Sequence, residues 1–128
     1  MNGPVVFFDG AEAAVEEIRR AVQEAVAKSA VLMQGNIASR APVDTGRLKG
    51  SVNHSVQDSE AEVFVNVEYA PRVEYGFRGQ DSLGRTIHQK PQPFFRAGAA
   101  ASEGPIGEIF TAELGRPITV NLDLGVKK

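Results

Sequence analysis

The 128-residue sequence has no cysteine and only two histidines. Without cysteine the chain can form neither a disulfide framework nor a thiolate metal site, and two histidines exclude a histidine-rich metal centre. No apolar run approaches the ~20 residues that a membrane-spanning helix requires. The first residues also lack the basic and long apolar segments of a secretory signal peptide. We therefore expect no metal, no cofactor and no membrane insertion.

Excess charge of either sign is also missing. The sequence has 14 basic and 16 acidic residues, for a formal net charge of −2. This balance predicts no overall attraction to nucleic acid or to an anionic membrane. The hydrophobic fraction of 42% is typical of globular proteins, and 128 residues fit one domain with a modest core. We expect a single domain over residues 1–128.

The N-terminal quarter predicts a short arm followed by a long helix. Residues 1–9 form the arm, with an apolar run at Val5, Val6, Phe7 and Phe8. Over residues 10–41, apolar or small side chains recur at spacings of three and four, which is typical of one helix face. They are Val15, Ile18, Val22, Ala25 or Val26, Ser29, Leu32 or Met33, and Ile37. Such a helix spans roughly 45 Å, so part of it is expected to pack beyond the chain's own core.

Residues 47–69 predict an antiparallel hairpin. Two runs alternate apolar and polar residues, one from Leu48 to Val56 and one from Ala61 to Tyr69. Asp58, Ser59 and Glu60 between them have turn chemistry. One face of the hairpin is expected to lie under the long helix.

Residues 77–90 are polar, contain glycine and have no clear period, so they predict a long loop. The loop has three cations, Arg78, Arg85 and Lys90, against one acid, Asp81, a local charge of 3 − 1 = +2. These cations could contact the phosphates of DNA without reading its sequence. A solvated loop explains them equally well.

The C-terminal part predicts a second helix and a strand. The helix is expected over residues 94–115, weak or kinked in its middle because of three glycines and Pro105. Phe94 and Phe95 at its start are candidates for contact with a partner. The strand is expected over 117–126, with alternating apolar residues that would pair with the sheet or with a neighbouring subunit. Those residues include Ile118, Val120, Leu122 and Leu124.

The predicted fold class is therefore α+β. A long N-terminal helix packs on a small antiparallel sheet made of the hairpin and the C-terminal strand. A second helix and a long polar loop complete it.

Two stretches imitate enzyme motifs. Asp44-Thr45-Gly46 has the core spelling of an aspartic protease, which needs two carboxylates that share one proton. The motif follows a helix, and the Arg47 guanidinium would hold both carboxylates ionised, so we interpret it as a turn in which Gly46 has an unusual φ. The segment from Gly79 to Thr86 has the spacing of a phosphate-binding loop but lacks the required flanking strand and helix.

Three fragments carry a family resemblance. They are APVDTGRLKGS at 41–51, YAPRVEYG at 69–76 and PQPFFR at 91–96. In this order they resemble the head–tail joining (neck, tail-completion) proteins of tailed bacteriophages, over roughly residues 10–97. The sequence departs from the family pattern at Phe77, in the longer segment that follows it, and at Ala97-Gly98.

The resemblance implies a structural virion protein and no catalytic residues. It implies a homo-oligomeric ring of six or twelve copies in the neck, between connector or head-completion proteins and the tail, with assembly in the host cytoplasm. The ring could touch passing DNA. A tail-terminator or minor tail protein is the neighbouring alternative, and a small aspartic protease is the alternative from another class.

Overall fold

The computed structural model describes residues 10–43 and 46–115. Within these ranges the chain forms four helices and four strands, which confirms the predicted α+β class. The helices are α1 (Ala11–Arg40), α2 (Arg47–Gly50), α3 (Ala70–Tyr75) and α4 (Phe94–Leu114). The strands are β1 (Val52–Gln57), β2 (Glu60–Val65), β3 (Phe77–Gln80) and β4 (Thr86–Gln89).

Two predicted segments lie outside the described residues. One is the N-terminal arm, with Val5, Val6, Phe7 and Phe8. The other is the C-terminal strand, with Ile118, Val120, Leu122 and Leu124. Their predictions remain predictions.

The two long helices pack against each other in antiparallel order. Ile37 of α1 meets Gly98 near the start of α4, and the Asn36 amide donates to the Ser102 hydroxyl at 2.9 Å. Further along, Lys28 forms an ion pair with Glu113. The later residues of α4 thus contact earlier residues of α1. Because α4 ends at Leu114, close to the contact with Lys28, the N-terminal third of α1 extends beyond the end of α4.

The helix α4 runs without a break through Pro105, so the weak middle expected from its sequence is not seen. The buried side of α4 explains this continuity, because Ala99, Ser102 and Ile106 all lie against the rest of the chain. Tertiary packing of one helix face contributes more to helix stability than the intrinsic preference of single residues.

The first hairpin confirms the predicted pairing with shorter strands. Strands β1 and β2 are antiparallel, from Val52 opposite Val65 to Gln57 opposite Glu60. The side chain of Gln34 on α1 joins the hairpin to the helix. Its amide donates to the Val52 carbonyl at 2.9 Å, and its oxygen meets Nδ1 of His54. His54 is thus a partly buried, hydrogen-bonded residue of the packed face.

Both ends of the hairpin differ from the expectation. Residues 47–50, expected to begin the first strand, form the helical turn α2, which places Leu48 in the core. The second strand ends at Val65. One more cross-strand hydrogen bond follows, from the Asn66 amide to the Ser51 carbonyl at 3.1 Å, and the chain then turns into α3.

The prediction of a loop at residues 77–90 is wrong, because this segment forms a second antiparallel hairpin. Strand β3 pairs with β4, and Arg78 lies opposite His88. Asp81 organises the turn, since its carboxylate accepts from the amides of Leu83 and Arg85, both at 2.9 Å. The sequence shows no clear alternation of apolar and polar residues here. Each strand has only four residues, and the half-buried positions include a glycine and a glutamine.

The core lies where the C-terminal half of α1 meets the start of α4. It consists of Ile37, Ala41, Leu48, Val52, Val67, Ala70, Val73 and Phe94. All of residues 11–20 are exposed, as expected for a helix longer than its own core requires. Across residues 10–43 and 46–115, no helix is long and apolar enough to span a membrane.

Gly98→Ala should destabilise the fold, because α1 and α4 touch at this glycine. An added Cβ would lie 2.5 Å from Cα of Ile37, which is backbone that cannot move aside locally. We expect a loss of about 1–3 kcal/mol in the free energy of unfolding, measured by urea denaturation. Gly35→Ala is the matched control, because a Cβ there meets nothing within 4 Å. It should raise stability by about 0.5–1 kcal/mol, and equal effects of the two changes would contradict the close contact.

Candidate functional site: the corner formed by three sequence fragments

The three fragments of the sequence meet in space. Ala41 and Leu48 of the first, Val73 of the second and Phe94 of the third are all buried in the same core cluster. We call this arrangement, residues 41–51, 69–76 and 91–96, the corner. Asp44 and Thr45 of the first fragment lie outside the described residues.

The carboxylate of Glu74 joins the second fragment to the third. Glu74 is only 2% exposed, although its side chain is acidic. It accepts hydrogen bonds from the amides of Phe95 at 2.8 Å and Arg96 at 3.1 Å, and from Nε of Arg96 at 2.6 Å. The first amides of a helix have no partner within the helix, and Pro93 before α4 offers no side-chain cap. Glu74 therefore caps α4 from another helix, with its negative charge at the positive end of the helix dipole.

Two backbone contacts close the same junction. The Gln92 amide donates to the Val73 carbonyl at 2.7 Å. Gly76 has a φ of +78°, and a Cβ there would lie 2.7 Å from the carbonyl oxygen of Gln89. Gly76 is thus required both by its backbone conformation and by the close approach of the chain leaving β4.

The first fragment contacts the second through Arg47. Its guanidinium lies 3.2 Å from a carboxylate oxygen of Glu68 and 5.4 Å from the centre of the Tyr69 ring. The pKa of the Glu68 carboxyl is lowered, first by a hydrogen bond from its own backbone amide and then by the positive charge of Arg47. Both charged side chains are mostly exposed, so this contact orients the fragments more than it stabilises them.

The corner has the features of a structural joint. Gly46 has a φ of +78°, which confirms the unusual φ predicted for this glycine, while Asp44 and Thr45 of the same motif lie outside the described residues. The segment from Gly79 to Thr86 crosses the β3–β4 turn, and Thr86 begins a strand where a phosphate-binding loop would require a helix. In the described part of the chain, no buried side-chain polar atom lacks a partner and no acidic or histidine cluster could hold a metal.

The aromatic pair at the start of α4 faces inward. Phe94 is 3% exposed in the core, and Phe95 is half-buried against the same cluster with its ring perpendicular to that of Phe94. Phe94 therefore packs within its own chain. Only Phe95 retains surface that a partner could contact.

The three cations expected on a loop lie on the second hairpin. Arg78 and Lys90 are exposed. Arg85 is also exposed, but its Nε donates to the Asp81 carboxylate at 2.6 Å. The Arg85 amide and then its side chain, together with the Leu83 amide, lower the pKa of Asp81. Two of the three cations are thus available to a partner with their full charge.

A second surface lies at the far end of α1. Val15 and Ile18 are 54% and 51% exposed, and they continue the apolar stripe that further along α1 becomes buried. The stripe was visible in the sequence. Its exposure was not, because only the structure shows that α4 ends short of it.

The comparison with protein families gave one result. The family model described as "HK97-gp10_like: Bacteriophage HK97-gp10, putative tail-component" matches residues 9–76, just over half of the chain. No curated protein and no solved structure matches the chain. The matched range includes the first two fragments and ends at Gly76. The third fragment lies beyond it, yet Glu74 bonds it directly to the matched part.

Glu74→Ala should destabilise the corner, because two amides of α4 and the Arg96 guanidinium would lose a buried acceptor. We expect a loss of about 2–3 kcal/mol in the free energy of unfolding, measured by urea denaturation. Glu103→Ala is the control, since Glu103 is an exposed acid on α4, the helix that Glu74 caps from α3. It should change stability by less than about 0.5 kcal/mol. A Glu74 variant as stable as the control would show that the cap is dispensable.

Proposed function

We propose, since this chain belongs to the HK97-gp10-like family of bacteriophage tail components, that it is a ring-forming subunit of the phage neck that joins the connector to the tail. Family membership makes the protein a structural component of the virion, which implies a role without catalysis and contact with other virion proteins. The ring, its place in the neck and its neighbours are the proposed part.

The exposed apolar end of α1 is the observation that best supports a subunit role. Val15 and Ile18 are both more than half exposed on a helix segment of ten residues that α4 does not reach. Large contiguous apolar patches mark contacts with other proteins, and we propose that Val15 and Ile18 belong to such a contact. A ring also requires two different patches on every subunit, because its interfaces are heterologous.

Further contacts are proposed for the segments beyond the described residues. We expect the apolar residues of the N-terminal arm and of residues 117–126 to contribute to lateral contacts. A ring of six or twelve copies would bind connector or head-completion proteins on one side and tail proteins on the other. The neighbouring alternative is a tail-terminator or minor tail protein.

Electron microscopy of phage particles assembled without this chain tests the proposal. A neck subunit predicts filled heads and complete tails that do not join. Tails of abnormal length would instead favour the tail-terminator alternative. Normal joined particles would contradict both.

Replacing Val15 and Ile18 together with glutamate should prevent assembly while the fold stays intact. Both side chains are exposed, so the melting temperature of the isolated chain should not change by more than a few degrees. Charges in the buried contact of a neighbour would be unpaired, which is strongly unfavourable. Sedimentation velocity and negative-stain imaging would measure the loss of rings or of joined particles.

Val31→Glu is the matched control for this change. Val31 is 59% exposed on the same helix, about 160° around from Val15. It should assemble normally. Normal assembly of the Val15 and Ile18 double variant would contradict a contact at this end of α1.

Deleting residues 117–128 should also abolish stable assembly, because the alternating apolar residues of this segment are expected to pair between subunits. The measurement is again the sedimentation of the purified chain. Unchanged assembly after the deletion would refute lateral pairing through this segment.

A further inference from the structure

The two hairpins have opposite charge. Between residues 52 and 65, the first hairpin has Asp58, Glu60 and Glu62 and no lysine or arginine. Glu60 and Glu62 lie on the face of β2 that points away from α1, together with Ser55 and Gln57 of β1, which pair with them. All of these residues are exposed. We call Asp58, Glu60 and Glu62 the acidic face.

The second hairpin presents basic side chains on one exposed face. Arg78 and His88 lie directly opposite each other on β3 and β4, and both are exposed. Lys90 follows two residues after His88 and is exposed as well. We call Arg78, His88 and Lys90 the basic face. The remaining cation of this hairpin, Arg85, is already bound to Asp81.

Within the described part of the chain, neither face takes part in an ion pair. The ion pairs found among residues 10–43 and 46–115 involve none of the acidic face and none of the basic face. The hairpins also belong to separate two-stranded sheets. The acidic and the basic side chains therefore lie on two separate small sheets.

The charges on the two faces have comparable spacing. Residues two apart on a strand point to the same side at a separation of about 7 Å, which holds for Glu60 and Glu62. His88 and Lys90 have the same spacing along the chain. Arg78 stands beside His88 at the roughly 5 Å separation of a cross-strand pair. Extended carboxylate and cationic side chains at these spacings can meet in pairs.

We infer that the acidic face of one copy docks on the basic face of the next copy, head to tail. The inference rests on the proposed function as a ring subunit and names the contact that orders the ring. Two copies related by a twofold axis would place like charges together if they met through either face alone. A contact between different faces is heterologous and repeats around a ring.

The charges select the direction of assembly, whereas apolar area supplies most of the affinity. Exposed ion pairs contribute little to binding strength, but complementary potentials steer encounter and disfavour wrong orientations. The acidic face also favours a protein partner over DNA. With Arg85 neutralised by Asp81, the basic face would offer phosphates few charges, and DNA binding would leave the acidic face without a role.

Charge reversal of each face provides the test. One variant is Glu60→Lys with Glu62→Lys, and the other is Arg78→Glu with Lys90→Glu. Each alone should weaken self-association of the full chain by at least about tenfold in sedimentation equilibrium at low salt. An equal mixture of the two variants should restore association, because the two reversed faces fit each other and so do the two unreversed faces. Both variants should melt like the parent protein, since the replaced side chains are exposed.

Cysteine cross-linking tests the direction without altering any charge. The chain has no cysteine, so every disulfide formed must come from an introduced thiol. Ser55→Cys is on the outer side of the first hairpin and Thr86→Cys on that of the second, and both positions are exposed. A mixture of the two variants should cross-link between copies, and either variant alone should not.

Several results would overturn the inference. They are a parent chain that stays monomeric at low salt, reversals that leave assembly unchanged, or dominant cross-links within one variant. Reversal of the basic face that abolishes only a salt-sensitive binding of DNA would assign that face to DNA instead. Particles whose heads and tails join normally without the chain would refute the proposed function itself. Rings that ignore charge reversal would refute only this contact.

Discussion

The buried carboxylate of Glu74 is the interaction on which the rest of the structure depends. It holds the first amides of α4 and the Arg96 side chain at a single point. By fixing where α4 begins, it also fixes which residues of α4 face α1, and Gly98 reaches Ile37 as a result. Burying a charge is costly unless it is fully paired, and here backbone and side-chain donors both meet it.

The conformations around this carboxylate follow from its position. Gly76 turns the chain out of α3 in a conformation that other residues rarely adopt, and the chain returns from β4 against that glycine. The second hairpin therefore extends from the corner. In the chain it lies between Glu74 and α4, the helix that Glu74 caps. The orientation of this hairpin is set where Gly76 contacts Gln89. Its turn is held separately, by the Asp81 carboxylate.

Sequence periodicity predicted the elements that are long or regularly alternating. The range 10–41 matches α1 within one residue at each end, and the pairing of the first hairpin follows its alternation. Periodicity did not predict β3 and β4. These strands have four residues each, and with Gly79 and Gln89 on the half-buried side they show no contrast between apolar and polar positions. It also could not join Glu74 to Phe95, because a contact across 21 residues depends on how the chain folds back. The three fragments were recognisable in the sequence, but their packing into one buried cluster was not.

The antiparallel contact of α1 and α4 has a consequence for the order of folding. Asn36 and Ser102 are 66 positions apart, and Lys28 and Glu113 are 85 apart. During synthesis α1 leaves the ribosome long before its partner helix exists, at a few to about 20 residues per second. The first hairpin can cover part of the apolar side of α1 early, but the part that packs on α4 faces solvent for several seconds, until residues 94–114 emerge. The end of α1 that α4 does not cover stays exposed in the folded chain, and this is the surface for which we propose a contact with a neighbour.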